Sequence, residues 1–121
     1  MKNVLIIEDN VDNCVLINKI LEHAGYQTLI ASTGMKGYEM ALKERPDFIL
    51  LDIFLPDING EEILKKIKQN EQIKSIPVIA VTSSAMPGDE ARLLAAGCGG
   101  YIEKPIDPGQ VVAQIKAVVG E

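Results

Sequence analysis

Long apolar runs, an excess of basic residues and paired cysteines are all missing from this 121-residue sequence. No run approaches the ~20 apolar residues that a membrane span needs. The stretch Val4-Leu5-Ile6-Ile7, followed at once by Glu8-Asp9, is also too short for the core of a signal peptide. Twelve basic against seventeen acidic residues give a net charge of -5. That balance argues against a nucleic-acid partner, whose phosphates call for a basic face, and against insertion into or docking on an anionic membrane. Cys14 and Cys98 show neither CxxC spacing nor neighbouring histidines, which excludes a zinc knuckle and leaves free thiols in a reducing, cytoplasmic setting. No Gly-x4-Gly-Lys-Ser/Thr phosphate loop and no Gly-x-Gly-x-x-Gly fingerprint follows any apolar run, so the common nucleotide-binding schemes are absent as well.

What is present is a chain the size of one domain, 47% apolar and 24% charged. It is long enough to bury roughly two-thirds of its unfolded surface without a disulfide or metal staple. Five short apolar runs recur along it: Val4–Ile7, Thr28–Ala31, Phe48–Leu51, Val78–Val81 and Tyr101–Ile102. The first, third and fourth are continuous, as in strands covered on both faces of a parallel sheet. Helical patterns fill the intervals, predicted over Val11–Ala24, Gly34–Glu44, Gly60–Asn70, Pro87–Ala96 and Pro108–Val119. The first stops at Gly25 with His23 in its last turn, and the last opens with Asp107 as N-cap, Pro108 at N1 and Gln110 completing a capping box. Strand and helix alternating five times predict a (βα)5 α/β fold, a doubly wound parallel sheet with right-handed crossovers. No linker or repeat interrupts residues 1–121, and with the sequence ending just past the fifth helix a single domain without an output domain is the expectation.

In such sheets ligands sit beyond the carboxyl ends of the strands. The residues leaving each run are therefore the candidates: Glu8 and Asp9 after the first, Asp52 after the third, Thr82 after the fourth, Glu103 and Lys104 after the fifth. A single acid there is most often a solvated loop residue, and a single lysine a surface one. Four strand ends bearing complementary groups form a site. Three carboxylates at ~4–6 Å repel one another, and a hard cation such as Mg2+ relieves this while sharing phosphate oxygens. Lys104 and Thr82 add a positive charge and a hydroxyl, parts that a phosphoryl group needs. The set reads as phosphoryl transfer with a carboxylate nucleophile.

The segments Val4–Asn10, Leu50–Pro56 with Gly60, Ile79–Ser83 and Tyr101–Pro105 together resemble the receiver domain of two-component response regulators, the CheY-like fold, along the whole chain. The resemblance implies a flavodoxin-like strand order 2-1-3-4-5. It implies Asp52 as phosphoacceptor for a sensor histidine kinase or histidine phosphotransfer protein. It also implies Mg2+ held by Glu8 (through water), Asp9, Asp52 and the backbone carbonyl of Phe54. Lys104 would pair with phosphoryl oxygens beside a cis Lys104–Pro105 peptide, Thr82 and Tyr101 would form the switch, and small Ser83 would leave room for the incoming group. The fourth helix, fifth strand and fifth helix would then present a changed face to a downstream protein. Such a receiver catalyses only its own phosphorylation and its slow dephosphorylation, the latter shielded here by Phe54 and weakly assisted by Ser84. On a helical wheel the first helix buries Asn13, Ile17, Ile20, Leu21 and Ala24, leaving Val11, Val15 and Leu16 to dock the phosphodonor.

Asn10 and Asn13 resemble both stand-alone cell-cycle receivers of the DivK type and receivers of hybrid kinases, so both organisations stay open. A small aspartate-nucleophile phosphatase is the enzyme alternative, but it calls for a Asp-x-Asp after the first strand and a cap insertion. His23 reads as a helix-dipole partner. The two cysteines and Met35, Met40 and Met86 read as packing or surface residues, and Lys65, Lys66 and Lys68 as a solvated helix face balanced by Glu61 and Glu62.

Overall fold

The continuous apolar runs become strands because each is covered from both sides. The computed structural model describes residues 2–82 and 87–120. Its strands are β1 (Asn3–Ile7), β2 (Gln27–Ala31), β3 (Phe48–Asp52), β4 (Val78–Thr82) and β5 (Gly100–Glu103), and its helices are α1 (Val11–His23), α2 (Gly34–Glu44), α3 (Gly60–Gln69), α4 (Asp89–Ala95) and α5 (Val111–Val119). All strand pairs are parallel, in the order β2-β1-β3-β4-β5. The expected fold and strand order are therefore those found. Ser83, Ser84 and Met86 lie outside the described residues.

Alternate residues of each strand feed two separate apolar layers. Leu5, Ile7, Ile49, Leu51, Val78 and Ala80 pack with α2, α3 and α4 through Ala41, Ile63, Leu64, Ile67 and Leu93. Val4, Ile6, Phe48, Leu50, Ile79 and Val81 pack with α1 and α5 through Ile17, Leu21, Val111 and Ile115. Each fully buried aliphatic or aromatic side chain of this kind contributes roughly 1.5–3 kcal/mol. The register aligns the strand ends: Ile7 lies opposite Ala31 and Leu51, Asp52 opposite Val81, and Thr82 opposite Glu103. Whatever follows these residues is delivered to one rim.

Several boundaries differ from expectation. β5 is longer than Tyr101–Ile102 because its pairing with β4 extends from Gly100 to Glu103. α4 starts at Asp89 rather than Pro87, since Gly88 adopts φ 90°, a left-handed conformation that breaks the helical path and supplies no side-chain cap. α5 starts at Val111. Asp107 still organises the preceding turn, its carboxylate accepting from the Gly109 N–H at 2.9 Å and its carbonyl from the N–H groups of Gln110 and Val111. Gln110, however, sits at φ -122° and makes no side-chain cap, so the capping box does not form. Lys68 is not a free surface lysine. Its Nζ donates to the carbonyls of Lys74 and Ile76 at 3.1 and 2.8 Å, tying down the connection between α3 and β4. Among the described residues no helix is long and apolar enough to cross a membrane.

Candidate functional site

The loops leaving β1, β3, β4 and β5 meet at the aligned rim, beside the point where the strand order reverses between β1 and β3. Glu8 is 2% exposed. Its backbone N–H donates to Ala31 O at 3.0 Å, and its carboxylate accepts from Asn10 N at 3.3 Å. Asp9, the next residue, is exposed. Asp52 ends β3 and is 5% exposed; its Oδ1 accepts from the Phe54 N–H at 3.1 Å. Each of the three acids presents an oxygen within 4.8 Å of those of the others. Lys104 leaves β5 with its N–H bound to Thr82 O at 2.8 Å, and its Nζ reaches Glu8 Oε1 at 2.6 Å and Asp52 Oδ2 at 3.4 Å. The Lys104–Pro105 peptide is cis. Thr82 is buried at the end of β4. Tyr101 is half-buried beside the layer beneath α4, and its buried hydroxyl has no hydrogen-bond partner among the described residues.

Electrostatics follow from this crowding. Burial, and then the adjoining Glu8, push the Asp52 carboxyl up to about 7, against the opposing pull of Lys104 and the Phe54 N–H. Burial would also raise Glu8, but hydrogen bonds from Asp52 and Lys104 outweigh it and hold Glu8 below its ordinary value. Burial would lower Lys104, yet Glu8 and Asp52 hold it above. Burial and the neighbouring Glu8 thus favour the protonated form of Asp52, while Glu8 is favoured as the anion. Three oxygen donors, two buried and one open to solvent, face a single lysine. That donor set suits a hard, hydrated cation of the Mg2+ type rather than a soft metal. The nearby thiol of Cys14 is turned to Glu8 O at 3.4 Å and is pushed up by burial and then by the acids, so it adds no soft ligand.

The segment after Asp52 forms one wall of an open cavity that Asp9 completes. Phe54 there is 54% exposed. Sequence reasoning missed a residue in this wall. Asp57 accepts from the N–H groups of Gly34 and Met35 at 2.8 and 3.0 Å. The one available signal was indirect: the first turn of α2 has no acid of its own. On α1, Ile17 and Leu21 are buried as expected and Ile20 is half-buried, whereas Ala24 at the C-cap is exposed. Val11, Val15 and Leu16 are exposed at 73%, 48% and 39%. The first two line a groove with Cys14 and Ile30 that opens beside Glu8 and Asp9.

Comparison with known proteins agrees with this architecture. A family model described as the response regulator receiver domain matches residues 4–116. The polar-differentiation response regulator DivK of Brucella anthropi is 42% identical over 120 residues, spanning 99% of this chain and 98% of its own. Among solved structures, a CheY-like receiver domain protein from Methanospirillum hungatei superposes with a TM-score of 0.91 at 32% identity, covering 99% of this chain and 94% of that one. The receiver domain of the sensor histidine kinase PA1611 from Pseudomonas aeruginosa, solved with a magnesium ion in its active-site cleft, gives 0.89 at 29% identity, with 99% and 98% covered.

Proposed function

The chain belongs to the response regulator receiver family of two-component signalling, and from that premise we propose that Asp52 is the residue phosphorylated. The observation that carries the assignment is the position of Asp52: it shares burial and the lysine with Glu8, but it ends β3 and its Oδ1 accepts from the Phe54 N–H. The domain is a signalling receiver rather than a conventional enzyme, and the reading treats residues 1–121 as one such domain acting in the cytoplasm. A carboxylate oxygen of Asp52 attacks the phosphorus of a phosphohistidine on a sensor kinase or phosphotransfer protein. The new O–P bond forms as the P–N bond breaks, and its electron pair returns to the imidazole. Asp52 must first give up its proton, and the ammonium of Lys104 favours the ionised form. Lys104 is also placed to leave Glu8 for the arriving phosphoryl oxygens, an exchange of one anionic partner for another.

Glu8, Asp9, Asp52 and the Phe54 carbonyl would hold Mg2+, which when bound neutralises the acids and the charge on the transferred group. Thr82, at the end of β4, would donate its hydroxyl to the phosphoryl group, and Tyr101 would respond by turning further beneath α4. The face formed by α4, β5 and α5 would then engage a downstream protein. Phe54 carries no group able to orient a hydrolytic water, which suits slow self-dephosphorylation.

The test is labelling by acetyl phosphate in MgCl2. Wild-type protein should incorporate close to one phosphoryl group and Asp52→Asn none. Label retained on the variant would move the acceptor elsewhere, and continuous release of phosphate over many turnovers would favour the phosphatase alternative.

A further inference from the structure

A helix leaves the N–H groups of its first turn without intrahelical acceptors. In α2 the Lys36 N–H finds the hydroxyl of its N-cap Thr33 at 3.2 Å. The Gly34 and Met35 N–H groups find a single carboxylate from another part of the chain, Asp57 Oδ1 at 2.8 Å and Oδ2 at 3.0 Å. Two oxygens on two successive N–H groups restrain rotation as well as distance. These two backbone bonds are also what hold the Asp57 carboxyl below its ordinary value, although the side chain is open to water.

The other end of the tether is the loop over residues 53–59. Gly60 N–H donates back to Ile53 O at 2.8 Å, pinching the loop at its base. Next to Asp57, Ile58 lies against Gly34 so closely that a Cβ there would come within 2.6 Å of its Cγ2. One half of the loop is thus fastened to α2 at adjacent points. The other half carries Phe54, whose N–H holds Asp52 Oδ1, and it shares the cavity with Asp9.

We propose that Asp57 is a positioning residue for the cation site, holding the 53–59 loop on the first turn of α2 so that the Phe54 carbonyl faces the acids. The inference rests on the reading of Glu8, Asp9 and Asp52 as a Mg2+ site. Partners of this kind set metal affinity through the groups they orient, so the effect falls on binding and not on the chemical step.

Titration calorimetry with MgCl2 on the full chain tests this. Asp57→Ala should weaken Mg2+ binding by about tenfold, the lower end of what outer partners contribute, while the labelling rate by acetyl phosphate at saturating Mg2+ stays at the wild-type maximum. Thr33→Ala removes the other cap of the same helix turn and should leave Mg2+ affinity unchanged. Asp57→Asn, which keeps one acceptor oxygen, should fall between and carries the test should the alanine variant not fold. Wild-type affinity in both Asp57 variants overturns the proposal, and so does an equal loss in Thr33→Ala, which would make helix stability the cause. Failure of the wild-type chain itself to bind Mg2+ would instead overturn the site reading on which the proposal rests.

Discussion

Asp52 is held in a conflict that only part of the site resolves. Its carboxyl titrates at about 7 rather than 3.8, from burial first and Glu8 second. Between those values the folded metal-free chain keeps a proton that the unfolded chain has released. The associated stability is complete below ~3.8 and is lost as pH rises through about 7. Glu8, held below its ordinary value, works in the opposite sense and loses its contribution on acidification. Asp52→Asn removes the ionisation and offers Glu8 a permanent amide donor. In metal-free urea unfolding it should therefore stabilise the protein by on the order of 3 kcal/mol at pH 8, and much less at pH 5. An equal gain at both pH values would show that Asp52 is not the proton holder.

Among the elements, α1 is the one whose exposed face is hardest to explain by folding alone. Ile17 and Leu21 anchor it to the sheet, while Val11, Val15 and Leu16 remain in solvent, the first two beside Glu8 and Asp9. Scattered exposed apolar residues are ordinary, so the discriminating experiment separates protein donors from small ones. Leu16→Asp should slow phosphotransfer from the cognate kinase at least tenfold, a loss of about 1.4 kcal/mol or more, with acetyl phosphate labelling unchanged; loss of both would indicate misfolding. The strands show what can be read from side chains. Val4–Ile7, Phe48–Leu51 and Val78–Val81 announce buried strands because both faces need apolar groups, and the acids and lysine at their ends announce a rim. The starts of α4 and α5 were not legible, since they turn on the backbone angles of Gly88 and Gln110. Nor was the bond from Asp57 to α2: every residue but proline carries an N–H, so no side-chain pattern marks which N–H a distant carboxylate will find. Lys68 misled for a related reason, its acceptors being the backbone carbonyls of Lys74 and Ile76.

For the molecule as a whole, a cation bound at the proposed site would add to the stability of the fold. A ligand present at a hundredfold its dissociation constant adds about 2.7 kcal/mol to folding, which for a domain of this size raises Tm by about 10 °C. Binding Mg2+ must displace the proton on Asp52 at low pH, so the increase should be large at pH 8 and small at pH 5.5 in thermal unfolding. A shift independent of pH would separate the acids that bind from the acid that titrates. The geometry of the rim also bears on protein synthesis. The hydrogen bond between Lys104 and Glu8 spans 96 positions of sequence, with Asp52 between them and β5 the last strand to be made. Domains emerge from the ribosome N-terminal end first. A chain still under translation can therefore carry its three acids for some time with no lysine to oppose them. The rim with its lysine facing the acids is therefore assembled only when β5 docks against β4, the last of the strand pairings to become possible as the chain is made.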